Sequence, residues 1–560
     1  MSKQSDVSAE TVQHVDAGDP VQNVLFIMCD QLRWDAISCS GHGLIDTPNI
    51  DRLAARGVRY DRAFVQGAVC GSSRMSYYTG RYVQTHGCRW NNVPIHVNQM
   101  TLGDHLWDTG VRPVLIGKTH TAPDAKGMMR LGLEPGSPEW IFASQCGFEP
   151  EERDDGLHPN DSASVELPYN QFLRQHGYEG DNPWHTAANS VKDADGNWVS
   201  GWLLRSAPFP TIVPDELSET AYMTNRAIDY IRGAGDERWC VHLSFIKPHW
   251  PYVASEPYHD MFRGIDLPPA TRSDVERVDP HPVLDAFQQS RIGRAFGREE
   301  VRSLVYPTYL GLVKQIDDHL GRLFTELEVM GRLNDTMIVF CSDHGDYMGD
   351  HWMGEKDWLH EAAIRTPMIV VDPRAAADAT RGTVSDEIVE AVDLVPTFIE
   401  ALGGDLAGAE PWLEGQSLQP SLHGLGRLDR SAAVCEADYA FLEMSNRLPT
   451  VDDSRKRRAT MLRGERYKYI VSDVGPNLLY DLEDDPEEFH DRIDDPGLAP
   501  VRSEMHDQLF EWFRMRRHDA TATAAMADRA STPGSLANRG ILIGYWDEDE
   551  LAAGKAGQLY

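Results

Sequence analysis

The chain lacks any run of about 20 apolar residues, the length a helix needs to cross a bilayer, so no membrane span is expected. Its first residues, MSKQSDVSAETVQHVDAGDP, have no apolar segment of the secretory kind, which reads as a cytoplasmic protein. Cysteine is sparse: eight in 560 residues, at 29, 39, 70, 88, 146, 240, 341 and 435, with no Cys-x-x-Cys pair. In a cytoplasmic chain of this size that scatter argues against a disulfide framework. Positive charge is also short, with 53 Lys and Arg against 87 Asp and Glu, a net charge of −34. Such a surface repels nucleic acid and anionic membranes, so neither is expected as a partner. A small anionic substrate would need a locally positive pocket set against the field of the whole molecule.

What is present is the composition of an ordinary globular protein, 41% hydrophobic and 25% charged. The length suits a large α/β domain with an appendage, or roughly two to four units. Four short apolar runs end abruptly in polar residues. Val24–Met28 leads into Asp30 and Gln31, Val114–Ile116 into Lys118 and His120, Val241–Ile246 into Lys247-Pro248-His249, and Met337–Phe340 into Asp343 and His344. Separated by helical patterns over Asn49–Gly57 and Glu219–Gly233, they read as buried parallel strands. Cys29, Cys240 and Cys341 lie in or beside these runs and read as buried thiols. Ligands of open α/β sheets lie at the carboxyl ends of the strands, so all four runs deliver polar groups to one edge. Asp30, Asp343 and His344, with the Gln31 amide oxygen, make a mostly oxygen donor set for one hard divalent cation, calcium with manganese as the alternative.

The segment Val69-Cys70-Gly71-Ser72-Ser73-Arg74-Met75 through Thr79-Gly80-Arg81 is the most informative. Ser72 or Ser73 is expected to cap a helix through Thr79. Cys70 would then sit at a helix N-terminus, where N–H groups favour an anion, with the Arg74 cation beside it. A plain thiolate nucleophile remains an alternative, although a thiolate suits a hard cation poorly.

Cys70-Gly71-Ser72-Ser73-Arg74 followed by Thr79-Gly80-Arg81 resembles the sulfatase signature, Cys-x-Pro/Ala-Ser-Arg with Thr-Gly-Arg downstream. Lys118-Thr119-His120 is similar to that family's Lys-x-His, and Pro248-His249-Trp250-Pro251 to its Pro-His-x-Pro. Asp30-Gln31 and Asp343-His344-Gly345 resemble its two metal pairs, and Gly354-Glu355-Lys356 its downstream lysine. Leu479-Tyr480-Asp481-Leu482 resembles its C-terminal motif, so the resemblance runs from about residue 21 to 481. It implies an alkaline-phosphatase-like fold, a large, mostly parallel mixed sheet flanked by helices, with a smaller C-terminal α+β subdomain. It also implies that a formylglycine-generating enzyme converts Cys70 to Cα-formylglycine, whose hydrate joins the metal ligands and attacks the ester.

By the same resemblance, Arg74, Lys118 and Lys356 neutralise the ester's oxygens and Asp343 accepts the nucleophile's proton. His249 protonates the leaving oxygen, His120 deprotonates the second hydroxyl to release the product, and Asn91 contacts the substrate. The implied activity is sulfate monoester hydrolysis, as in arylsulfatases. Gln31 and His344 depart from the Asp-Asp and Asp-Asn of arylsulfatases. With Asn91-Asn92-Val93-Pro94 and Gly349-Asp350-His351, they look like the phosphonate monoester hydrolases and phosphodiesterases of the same superfamily. Ser72 departs from the Pro or Ala of the signature, and an unconverted, non-catalytic sulfate- or glycan-binding relative is a further alternative.

The remaining organisation is expected as a tail over 1–20, a catalytic domain over 21–427, an antiparallel-sheet subdomain with a helix over 428–518, and an arm over 519–560. The stretch 128–214 reads as irregular, either a substrate lid or plain surface. The apolar residues Ile541–Trp546 on the arm suggest subunit contact and a homo-oligomer, dimer or tetramer.

Overall fold

The computed structural model describes residues 18–159, 166–441, 447–448, 456–516 and 548–555. The expected tail over 1–20 falls almost wholly outside them, as does Ile541–Trp546 in the expected arm. In chain order the strands are β1 (Asn23–Asp30), β2 (Val58–Phe64), β3 (Arg112–Gly117) and β4 (Glu149–Arg153). A small hairpin, β5 (Ser190–Lys192) and β6 (Trp198–Ser200), stands apart. Then follow β7 (Trp239–Pro248), β8 (Thr336–Ser342), β9 (Met368–Val371) and β10 (Thr383–Glu390). The last four are β11 (Ala433–Asp438), β12 (Arg458–Arg463), β13 (Tyr467–Ser472) and β14 (Leu478–Asp481).

The main sheet has eight strands in the order β10-β2-β9-β8-β1-β7-β3-β4. All neighbours are parallel except β9, which runs antiparallel to both β2 and β8. The four runs read from the sequence are its centre, β8, β1, β7 and β3, side by side and parallel, so their carboxyl ends share one edge. Every residue of β1, β7 and β8 is buried, as strands covered on both faces must be. Alternation along β1 divides it between two cores: Val24, Phe26 and Met28 face one, and Leu25, Ile27 and Cys29 the other. The long helix Glu299–Val329 and the helix Glu219–Gly233 cover the second core, while Leu394–Ala401 covers the first. Cys29, Cys240 and Cys341 are buried as expected, and all eight cysteines are free thiols.

Strands β11–β14 form a separate antiparallel sheet in sequence order, with the helix Ala499–Met515 packed on it through Met505 and Leu509. One finding differs from the reading of the sequence. The stretch 128–214 is not structureless: it holds the helices Pro138–Ser144 and Pro168–Gln175, the hairpin, and β4, which adds a parallel edge strand to the main sheet. Its strand and helix signals are short and separated by glycines and prolines, which hides them from periodicity. Among the described residues, no helix is long and apolar enough to cross a membrane.

Candidate active site

The sheet edge brings Asp30, Cys70, Asp343 and His344 together. One donor atom from each lies within 4.8 Å of all the others, and all four side chains are buried. Asp30 ends β1 and Asp343 follows β8, its neighbour in the sheet. Cys70 opens the helix Cys70–Thr79, which points its N-terminus at this edge. Its Sγ stands 3.1 Å from His344 Nε2 and 3.8 Å from both Asp30 Oδ1 and Lys118 Nζ.

The cap of this helix is not a serine. Ser72 Oγ donates to the Val69 carbonyl and Ser73 Oγ to the Asp343 carbonyl, so neither hydroxyl serves the free N–H groups. Asn91 instead accepts from the Gly71 N–H with its Oδ1 at 2.8 Å. The approach is close enough that a Cβ at Gly71 would meet Asn91 Cα and the Trp90 carbonyl at 2.9 Å. Asn91 thus fixes the turn that carries Cys70.

Arg74 turns onto the two carboxylates. It is wholly buried, donating from Nε to Asp343 Oδ2 at 2.8 Å and from Nη2 to Asp30 Oδ2 at 3.1 Å. Its Nη1 donates to the Lys118 carbonyl and to Ser244 Oγ. The sequence signature carries this arginine but not its direction. It allows two buried carboxylates to stand side by side, which unpaired would be very costly. Lys118 completes the balance: its Nζ pairs with Asp30 and faces the Cys70 sulfur. Burial works against its charge, but Asp30 and Cys70 outweigh burial and hold the ammonium above its ordinary value. Burial and Asp30 oppose ionisation of Cys70, yet Lys118, Lys356 and His344 hold the thiol well below its ordinary value.

On the far side, Lys356 Nζ donates to Gln31 Oε1 at 2.8 Å and to His249 Nε2 at 3.1 Å. The Gln31 amide is oriented by chemistry: its nitrogen donates to Asp346 and to Tyr252 Oη, both acceptors, while its oxygen meets the lysine. Gln31 therefore adjoins the four-donor cluster with its oxygen directed at Lys356. His249 Nδ1 faces the Trp250 carbonyl at 3.1 Å, which leaves Nε2 as acceptor. Burial, with the Lys356 charge beside it, keeps this imidazole well below its ordinary value and hence neutral.

His120 is not joined to Cys70 by a hydrogen bond. It is half-buried at φ 58°, its Nδ1 has no hydrogen-bond partner among the described residues, and its backbone N–H is held by Asp155 Oδ1 at 2.9 Å. The same carboxylate oxygen takes the Thr119 N–H. Asp155, Tyr252, Asp346 and Ser244 escaped sequence reasoning. Tyr252, directly after Pro248-His249-Trp250-Pro251, and Asp346, directly after Asp343-His344-Gly345, lay beside recognisable patterns.

A cleft of about 740 Å³ opens onto His249, Lys356 and Asn91. Trp90, Trp202 and Trp250 line it with Leu157, Leu203 and Ile292. Leu157, Trp202 and Leu203 come from the 128–214 stretch, which therefore walls the cleft.

The donor set fits a hard divalent cation. Two carboxylates face one point, and His344 Nδ1 lies 2.9 Å from the Gly345 carbonyl, which fixes the ring with Nε2 turned towards Asp30, Asp343 and Cys70. A buried cysteine at a helix N-terminus, a compact donor set and flanking lysines fit an ester hydrolase of the alkaline phosphatase superfamily. The sulfatase family model matches residues 22–404, and a model of the N-sulphoglucosamine sulphohydrolase C-terminal region matches 349–515. The chain therefore belongs to the sulfatase family. It is similar to the multifunctional alkaline phosphatase superfamily protein PehA of Trinickia caryophylli, 30% identical and covering 90% of this chain and 97% of that one. An arylsulfatase of Clostridium perfringens is 26% identical over 84% of this chain and 92% of its own. Among solved structures, the phosphonate monoester hydrolase SpPMH from Silicibacter pomeroyi superposes with a TM-score of 0.76 at 25% identity, covering 90% of this chain and 97% of that one.

Proposed function

We propose that the protein hydrolyses monoanionic esters, sulfate monoesters foremost, with position 70 as the nucleophile. The observation that carries this is the setting of Cys70: at a helix N-terminus, 3.8 Å from Lys118 Nζ, within the four-donor cluster and beside an aromatic cleft. Oxidation of Cys70 by a formylglycine-generating enzyme replaces a soft sulfur among hard donors with oxygen. Asp30, Asp343, His344 and position 70 would hold one calcium or manganese ion, with the Gln31 amide oxygen at their edge. The ion would supply Lewis-acid polarisation and a lowered pKa for the nucleophile.

The chain's own residues supply the rest. Arg74 neutralises Asp30 and Asp343 from behind and so acts on the substrate only through them. Lys118 faces position 70 and meets charge that develops on the transferred group. Lys356 and His249 act as one unit: His249 Nε2 accepts from the ammonium, so a proton for the leaving oxygen comes from this pair. Trp90, Trp202 and Trp250 take up an apolar, preferably aromatic, leaving group. Asp155 sets the backbone of His120, which serves release of the transferred group.

A second reading, phosphonate monoester and phosphodiester hydrolysis, is favoured by the Gln31 bridge between Lys356 and Asp346 and by the similarity to PehA and SpPMH. All three ester classes carry one negative charge, so one site serves them with different efficiency. Turnover of aryl sulfate, phosphonate monoester and phosphodiester sharing one leaving group decides between them. Highest kcat/KM on the sulfate supports the first reading; at least tenfold preference for a phosphorus ester supports the second. No turnover of any, with an intact Cys70 thiol by peptide mass spectrometry, leaves a binding relative.

A further inference from the structure

The loop that presents Lys356 is braced from the C-terminal sheet by a lysine outside the site described above. Lys356 is flanked by two non-glycine residues at positive φ, Glu355 at 67° and Asp357 at 90°. Backbone in that region persists only where surrounding contacts over-determine it. The Tyr347 N–H supplies one such contact, to the Glu355 carbonyl at 2.8 Å, and others come from β11–β14 and their connections. Lys468, in β13 and fully buried, donates from Nζ to the Leu359 carbonyl at 3.1 Å. The same ammonium pairs with Glu488 at 2.6 Å and Glu361 at 2.9 Å. Glu488 in turn accepts the Glu361 backbone N–H at 2.8 Å. Between these points, Trp358 stacks on Tyr439, with centroids 5.6 Å apart and rings 26° from parallel.

We propose that Lys468 is a positioning residue for the active site, holding the Gly354–Glu361 segment so that Lys356 Nζ reaches Gln31 and His249. The C-terminal sheet then works as a clamp on the proton-donating pair, and not only as an added layer. This rests on the reading of Lys356 as part of the reaction machinery.

The test uses the full-length protein carrying Lys468→Met with Glu488→Gln, which removes the charges of that pair together, while Glu361 keeps Arg463 at 3.3 Å as its counter-ion. Its kcat is compared with native on an ester with a poor leaving group, where proton donation limits the rate, in the native and Lys356→Ala backgrounds. If Lys468 acts through Lys356, kcat falls about tenfold in the native background and less than about twofold in Lys356→Ala. Equal losses in both backgrounds overturn the proposal. Hydrogen exchange of the peptide covering 354–361 should quicken in the double variant, and unchanged exchange also overturns it. Leu509→Ala, which loosens the helix on the same sheet away from this loop, is the control for general destabilisation. It should keep native kcat and native exchange in 354–361, and a loss matching the double variant's overturns the proposal. Exchange decides alone where Lys356→Ala leaves too little turnover to measure. It also decides if the native protein cleaves no ester, an outcome that defeats the functional reading and leaves the clamp standing or falling by itself.

Discussion

Arg74 Nε donates to Asp343 Oδ2 over 2.8 Å, and neither side chain meets solvent. The same guanidinium reaches Asp30 at 3.1 Å, so one planar group spans two strand ends and holds both carboxylates at a fixed separation. The charge of Arg74 is thus satisfied before any substrate arrives.

Replacing Arg74 by alanine should lower stability by about 3–5 kcal/mol, the usual cost of leaving buried charges without their partner. Urea unfolding measures it. Arg74→Lys keeps the charge but not the fork that serves both carboxylates. It should raise the metal concentration needed for half-maximal activity by at least tenfold while changing the KM for the ester far less. A dominant KM effect would instead return Arg74 to the substrate.

Asp155 offers a cleaner route to His120 than mutation of the histidine. Its Oδ1 holds two successive N–H groups, and removing an acceptor with charge costs about 1.5–3 kcal/mol per bond. Asp155→Ala should slow steady-state turnover about 10–100-fold and leave the pre-steady-state burst of leaving group in place, because transfer to position 70 does not use His120. Loss of the burst together with the steady state would remove His120 from product release.

Trp202 comes from the 128–214 stretch and lines the cleft with Trp90 and Trp250. Burying an aromatic leaving group against it is worth on the order of 1–2 kcal/mol. Trp202→Ala should raise KM for aryl esters about tenfold and leave KM for a methyl ester nearly unchanged. Equal changes on both esters would place Trp202 outside the leaving-group subsite.

Asp372, just after β9, gives a pH prediction away from the metal donors. Burial opposes its ionisation, but His423 at 2.9 Å and Arg374 outweigh burial and hold the carboxyl at about 2. A folded value below the unfolded one of about 3.9 means stability that is complete above about pH 4 and lost as pH falls through about 2. Asp372→Asn should therefore be less stable than native by about 2 kcal/mol at neutral pH. In urea unfolding the gap should stay constant down to about pH 4 and narrow only below it. Narrowing that begins well above pH 4 would remove Asp372 as the titrating group.

The sequence by itself determined the parallel centre of the sheet and the residues at its edge. A buried parallel strand is a continuous apolar run, and a run ending in Asp, Lys or His shows where the chain leaves the core. The helix Glu219–Gly233 was legible for the same reason, because it rests on a pattern among neighbours along the chain. Tertiary structure alone decided what those residues do to one another. Arg74 turns back onto Asp30 and Asp343, Asn91 caps a helix 20 residues away, and Lys468 reaches Leu359 across 109 positions. The cleft wall comes from a stretch whose short elements leave no periodic trace. Cys70 stood out by its local signature, but its contacts with His344, Asp30 and Lys118 join distant segments, which packing settles and local pattern cannot encode.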